Sequence, residues 1–301
     1  MKIQLPIVAS LFALVGLASS AAAFSFDGNA NQVMGTQEYQ GTKATAKFYN
    51  NGYSFTPAFS EYHDLSSSGT YQTFSGRLGY DKKLYGIGIN GGMTPKLNGY
   101  GNAFAGVDAI FSITPTGGGA PDRIRGVQQG RSGSSGKGLA RVDLGGGVTY
   151  TDHRDNLGAG NIPRAHISNI GQTTVNGSIG LAVLENLISF DIAKSAYDHN
   201  LGAINARLAQ VENLTGLPQT VRGYPNTSTS VRLELTMVPA VTPYGTYTHS
   251  TFMDTTRTDA YTVGGYVDLD MLEITGSYTR YTQANIQAGL NYFSMGAGLR
   301  F

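Results

Sequence analysis

The chain has no cysteine and no tryptophan. Without thiols there can be no disulfide framework and no thiolate metal site. An excess of one charge is also missing: 21 Lys and Arg stand against 20 Asp and Glu, a net charge of +1. Nucleic acid is therefore not an expected partner, because neutralising phosphates takes clustered surplus Lys and Arg. Long apolar runs are absent beyond the first two dozen residues, so no helical membrane span is expected there. What is plentiful is glycine, at 41 residues, with 18 Tyr and 13 Phe supplying all the aromatic content.

The single apolar run lies at the start. Lys2 gives it a positive leading end, Pro6 to Leu17 form its greasy middle, and Ala21-Ala22-Ala23 offers the small-x-small pattern that signal peptidase cuts. The run falls short of the roughly 20 residues of a spanning helix, and no Cys follows it to take a lipid. Residues 1–23 are expected to be a cleaved signal peptide and 24–301 the exported domain.

Past that point apolar residues recur at every second position, the period of a strand with one greasy face. Ala44, Ala46 and Phe48 alternate with Lys43, Thr45 and Lys47, and Asn50-Asn51-Gly52 follows as a tight turn. Phe74, Gly76, Leu78 and Tyr80 oppose Tyr71, Thr73, Ser75 and Arg77. The same rhythm runs through Ala103 to Ile113, Ala140 to Tyr150, Val175 to Val183 and Ile188 to Ile192. It is clearest in the last third, where Val231, Leu233 and Leu235 alternate with Arg232, Glu234 and Thr236. Many apolar positions are Ala or Gly, with Tyr or Phe near the ends. That suits a lipid-facing band with aromatic girdles better than a sandwich core, which needs bulk.

About thirteen such segments can be counted, each near the 9–11 residues of a tilted spanning strand. Known single-chain bacterial barrels have an even number, so the segment at 43–49 needs a partner, for which 31–40 is the candidate. Fourteen strands are expected, with twelve as the alternative. Short turns at 81–83, 184–186, 239–240 and 270 mark the periplasmic side; long polar stretches near 152–171 and 199–228 mark the external side. The same parity puts the long stretch near 114–138 on the periplasmic side, where long loops are uncommon, which brings the strand assignment near 84–113 into question.

The final segment carries the pattern to the last residue: Phe293, Met295, Ala297, Leu299 and Phe301 are apolar, with Ser294, Gly296, Gly298 and Arg300 between them. Together with the export signal, this resembles the closing strand of bacterial outer-membrane β-barrels of the porin-like class. The resemblance implies an all-β, transmembrane, antiparallel up-and-down barrel in the outer membrane of a Gram-negative cell. It further implies that Phe293, Met295, Leu299 and Phe301 form the signal read by the barrel assembly machinery, and that outer-membrane lipid covers the exterior. Its oligomeric state is not implied.

On the polar face the alternation places Arg77, Asp108, Arg141, Asp143, Asp191, Arg232, Glu234, Asp268, Glu273 and Arg300 towards the lumen. Ten charges in a dry core would need near-perfect pairing, so a hydrated lumen is expected. Mixed signs fit a weakly selective pore for small polar solutes, or a lumen braced by ion pairs. The leading reading is a channel for passive passage of such solutes. A closed barrel acting as adhesin or assembly scaffold through its loops is the rival.

Motifs for chemistry are weak. Gly86-Ile87-Gly88-Ile89-Asn90-Gly91 matches G-x-G-x-x-G, but inside a strand rather than at a helix start. Gly130 to Gly138 departs from a phosphate loop at Arg131 and Gly138. His249-Ser250 is similar to the His-Ser pair of outer-membrane phospholipases, yet strand neighbours point to opposite faces and Thr251-Phe252 follows where that family has Asn-Gly. Asp198-His199 and Asp152-His153-Arg154-Asp155 resemble the loop acids and histidines of omptin-like proteases, with solvated loop charges as the plainer reading. A lipase or protease is a remote alternative; no catalytic residue, metal or cofactor is expected. Ile204, Leu208, Val211 and Leu214 are spaced for a short amphipathic helix in the 199–228 stretch.

Overall fold

The structure, a computed structural model, describes residues 25–63, 69–82, 84–97, 100–113, 140–155, 169–183, 186–198, 209–210, 220–221, 224–235, 241–253, 255–269, 271–283 and 286–300. These contain sixteen strands: β1 Ser25–Gly35, β2 Gln40–Asn50, β3 Tyr53–His63, β4 Tyr71–Asp81, β5 Tyr85–Leu97, β6 Tyr100–Ile113, β7 Ala140–Asp155, β8 Asn169–Val183, β9 Asn186–Tyr197, β10 Ala209–Gln210, β11 Thr220–Val221, β12 Pro225–Leu235, β13 Val241–Phe252, β14 Arg257–Leu269, β15 Leu272–Gln283 and β16 Ile286–Arg300. No helix among the described residues is long and apolar enough to cross a membrane.

Fourteen of the strands form one closed antiparallel barrel in which each follows its chain neighbour; β9 pairs with β12, and β10 with β11 form a separate two-stranded ladder. Closure comes from β1 against β16, with Asp27 opposite Arg300 and Gly35 opposite Tyr292. A closed ladder has no free edge, so every strand can bond on both sides without water, the condition for crossing a bilayer with strands. The even count of fourteen stands, and twelve does not.

The wall has two distinct faces. Ile89, Val107, Val148, Val175, Val263 and Met295 are exposed on the outside, while Ser54, Thr73, Asp143, Ser230, Thr248 and Thr279 are buried inside. On β8 the outward run from Val175 to Val183 spans roughly 26 Å along the strand at about 3.3 Å per residue, which at a tilt of about 40° covers about 20 Å of height, most of the apolar band of a spanning barrel. Outward rings border that band: Tyr53, Tyr80 and Tyr85 stand 4.9 and 6.4 Å apart in sequence at one end. Tyr278 and Phe293 lie 5.1 Å apart, and Tyr247 and Tyr261 5.0 Å apart, towards the other.

The two ends differ in how the chain turns. Ser25 and Arg300 share the near end, where β2 and β3 join through Asn51 and Gly52, both at positive φ (50° and 97°). That is the turn geometry for which Asn-Gly is selected. The short connections after β4, β8, β12 and β14 lie at this end too.

Three expectations need adjusting. The first strand is Ser25–Gly35 rather than 31–40, and Tyr39 belongs to the turn before β2. Between Phe26 and Met34 its outward positions are Gly28, Ala30 and Gln32, none of them large and apolar, so the alternation that marks the other strands is faint. Residues 152–155, 169–171 and 225–228 lie in strands, shortening the expected loops. The helix expected near 204–214 is not supported where it can be seen, since Ala209 and Gln210 pair with Val221 and Thr220; Ile204, Leu208, Val211 and Leu214 lie outside the described residues. The questioned segment needs no change of parity. β5 and β6 carry the alternation, β6 pairs with β7 from Ile113 opposite Val142, and the chain leaves β6 at the near end. Residues 1–24 and 114–139, hence the expected signal peptide and the 130–138 motif, lie outside the described residues.

Candidate functional site

The inner wall divides into three tiers. Nearest the termini is a tier of charges. Arg77 on β4 reaches over β5 to Asp108 on β6 in a forked pair, with Nε–Oδ2 at 2.8 Å and Nη2–Oδ1 at 2.6 Å. The guanidinium crosses directly above Gly88, where any Cβ would strike it. The glycine that suggested a nucleotide motif is therefore a clearance for an ion pair. Nη1 of Arg77 is also 3.7 Å from Asp81, whose carboxylate accepts a hydrogen bond from Ser54 at 3.0 Å.

Two further pairs are made within single strands, where residues two apart share a face. Arg141 Nε lies 2.8 Å from Asp143 Oδ2 on β7, both side chains at most 5% exposed. Arg232 donates to Glu234 on β12 at 2.7 Å, also buried. The Arg232 guanidinium lies 4.0 Å over the ring of Tyr244 and bonds the hydroxyl of Tyr266, and these two rings stack at 4.9 Å. The tyrosine faces supply cation–π attraction where water is excluded. Asp191 is buried opposite Ser230, diagonal to Arg232, whose partner across the ladder is Ser189. Asp268 stands opposite Glu273, and Arg300 lies 3.9 Å from both Asp27 and Glu273.

All ten charges named from the sequence thus sit on the inner face, most of them in occluded ion pairs rather than loose in open water. Parity would have added more. Lys43 and Lys47 occupy the face opposite Ala44, Ala46 and Phe48, and Asp27 and Asp81 follow the same rule.

Above the charges comes a nearly neutral belt of hydroxyls and amides. Ser228 and Ser250 are 2.8 Å apart, Thr248 donates to Ser230 at 3.1 Å, Thr262 and Thr279 are 2.8 Å apart, and Thr73 and Thr94 are 2.8 Å apart. Thr45 donates to Asn29 and Thr275 to Asn31, at 2.9 and 3.0 Å. These are cross-strand pairs of the kind that fix register on one face of a sheet. Among the described residues two charges reach this depth, Lys43 beside Ser60 and Asp191 opposite Ser230.

At the far end the inner wall turns aromatic. Tyr39, Tyr62 and Tyr71 stack in series at 6.2 and 5.2 Å, and Tyr39 meets Tyr292 edge-on at 5.2 Å. Tyr281, Phe252 and Val33 continue the same buried cluster, with Leu97 carrying it across β5 to Tyr100. His153 then links Tyr100, at 6.1 Å, to Tyr224 at 5.3 Å, and Tyr224 touches Tyr197 at 5.5 Å. Hydrogen bonds brace this side. The Tyr100 hydroxyl donates to His153 Nδ1 at 3.0 Å, leaving Nε2–H to donate to Gln172 at 2.7 Å, and Gln172 donates to Ser195 at 2.9 Å. The chain of partners sets the tautomer of the imidazole.

Sequence reading gave the tyrosines to the lipid-facing girdles. Eight of the 18 tyrosines belong to this inner collar instead. Their sequence signal was parity: Tyr71 and Tyr100 share faces with Thr73 and Asn102 respectively, on the polar side.

The hydrolytic candidates are separated. Ser250 points inward to Ser228, whereas His249 shares the outer face with Tyr247 and Asp259; His249 Nδ1 and the Tyr247 hydroxyl lie 2.8 and 2.7 Å from one Asp259 oxygen. Asp152 and Arg154 form an exposed outward pair at 3.5 Å while His153 faces inward. His199 lies outside the described residues. No group of three or more potential metal ligands occurs among the described residues.

No protein-family profile matches the chain, and no curated protein matches it. Solved structures share the barrel at low identity. OprD of Pseudomonas aeruginosa is 8% identical over 92% of this chain and 95% of that one, with a TM-score of 0.42. OccAB1 of Acinetobacter baumannii is 5% identical over 92% and 96%, with 0.47, and a BenF-like porin from Pseudomonas fluorescens Pf-5 is 9% identical over 94% and 99%, with 0.44. The likeness concerns the barrel alone and is too distant to say what passes through it.

Proposed function

We propose that this protein is a bacterial outer-membrane channel through which small polar solutes pass passively, with no catalytic step. The observation that carries the reading is a closed fourteen-strand wall, greasy outside and lined with hydroxyls, amides and charges inside. Eight strands enclose just enough room for their own side chains; fourteen enclose more than theirs can fill. The near end faces the periplasm in this reading, since five of its six connections have five residues or fewer, whereas the far end carries the longer connections 64–70, 156–168 and 198–224. Purified protein in planar bilayers is expected to give ohmic conductance. Absence of conductance after verified folding overturns the proposal.

A closed scaffold is favoured by one feature, the burial of inward side chains at both ends, Tyr39, Tyr71 and Tyr224 at one and Arg141, Asp143 and Arg232 at the other. Deleting residues 199–223 separates the readings: a channel keeps or gains conductance, whereas a scaffold stays silent and loses its partner. For assembly, the outward face of β16, with Phe293 and Met295 both strongly exposed, supports a signal formed by Phe293, Met295, Leu299 and Phe301 and preceded by the cleaved 1–23 leader. Deleting Phe301 is expected to cut outer-membrane yield in cells while refolding in detergent persists; equal losses in both make it a packing residue only.

A further inference from the structure

We propose that the tyrosine collar and the neutral belt beneath it form a selectivity site for ring-shaped polyhydroxylated solutes, that is, sugars; this rests on the channel reading above. Three observations converge. First, inward rings at the far end touch in two runs, one through Tyr292, Tyr39, Tyr62 and Tyr71 and one through Tyr100, His153, Tyr224 and Tyr197, with Leu97 packed between them, and Tyr39 and Tyr71 are at most 2% exposed. A solute that enters between these rings exchanges ring–ring contact for ring–solute contact. A hydrated ion makes no such contact, whereas the C–H face of a sugar ring lies well on the negative face of an aromatic ring.

Second, the next tier down is built of hydroxyls and amides bonded across strands, among them Ser228 with Ser250 and Thr262 with Thr279. These groups both donate and accept, so each can trade a wall bond for a bond to a solute hydroxyl. A purely aromatic solute would use the collar and leave this belt unmatched. Third, the charges that would hold an ionic solute are set deeper and are engaged with each other, as in Arg77 with Asp108 and Arg232 with Glu234. Among the described residues, the inward tier nearest the far end is neutral.

The test uses the full-length folded protein. Ion current through single barrels is recorded while glucose, maltose or maltotriose is added, with linear polyols of matched mass and phenol as comparison solutes. Calorimetry in detergent measures maltotriose binding independently of conductance. The expected result is concentration-dependent block by the sugars, stronger than by the polyols or by phenol. Tyr62→Ala and Tyr71→Ala are expected to raise ion conductance while weakening sugar block and calorimetric affinity about fivefold or more; Tyr62→Phe, which keeps the ring, retains most of both. The opposite signs exclude simple misfolding. Tyr53→Ala, on the outer girdle, changes neither. Current that flows but is insensitive to sugars, or is blocked best by phenol, overturns this proposal and leaves the channel standing. No current, with sugar binding lost in Tyr62→Ala, ends the channel reading and leaves a sugar-binding collar. No sugar binding by either measurement ends the collar proposal.

Discussion

The two ends of the inner wall are packed by opposite means. At the far end, neutral rings from neighbouring strands touch in two runs, one through Tyr39, Tyr62 and Tyr71 and one through Tyr100, His153 and Tyr224. At the near end, charges close upon each other within a strand or across one. The collar is held by contact area and a few hydrogen bonds, the charged tier by ion pairs sealed from water. The difference decides how each should fail. Ring contacts are lost piecemeal, a ring at a time, while a buried ion pair fails at once when one partner leaves the other stranded.

The strongest test of that contrast is Arg141→Ala. It leaves Asp143 buried and uncompensated, at an expected cost of about 3–5 kcal/mol, measurable by urea unfolding from lipid vesicles with tyrosine fluorescence. Replacing both Arg141 and Asp143 with Leu should recover most of the loss. If the single and double variants are equally unstable, the pair is not sealed and the tier is wetter than its burial indicates.

Gly88→Val comes next. The added side chain must push Arg77 away from Asp108, and overpacking of this kind costs about 1–3 kcal/mol. Asp108→Asn should weaken the effect of Gly88→Val, since there is then less to lose; full additivity would show that the strand objects to valine for reasons of its own.

In the collar, Tyr100→Phe keeps the ring but removes the proton bound by His153 Nδ1. The expected loss is about 1 kcal/mol, with ring packing preserved and conductance nearly unchanged. A loss as large as that of Arg141→Ala would mean that the collar depends on its hydrogen bonds and not on its rings. Smallest of all is Arg154→Ala. Its outward pair with Asp152 is exposed, with the Arg side chain 65% accessible, so a change within about 0.5 kcal/mol is expected. A larger one would mark this rim as a contact surface.

The same comparison shows what could be read in advance. Arg141 with Asp143, and Arg232 with Glu234, were visible as an acid two residues after an arginine on the polar face of a strand. Arg77 with Asp108 was not, because it depends on β4, β5 and β6 lying side by side with a glycine beneath the guanidinium. Lys43 and Lys47 stand in the sequence as the polar partners of Ala44 and Ala46. The collar was visible only as tyrosines of the inward parity near strand ends, and composition alone favoured giving them to the lipid girdle.

By itself, then, the sequence determined the period-two alternation, the face each strand residue takes and the tight turns at one end, because these depend on backbone geometry between immediate neighbours. It also determined that no crossing helix could form beyond residue 24. The tertiary structure decided the rest: that the faint first strand starts at Ser25 and closes the barrel against β16, that Arg141 with Asp143 and Arg232 with Glu234 are sealed in pairs, and that tyrosines far apart in the chain stack in runs. Those outcomes depend on register between distant strands, and register is an agreement among partners that no single segment encodes.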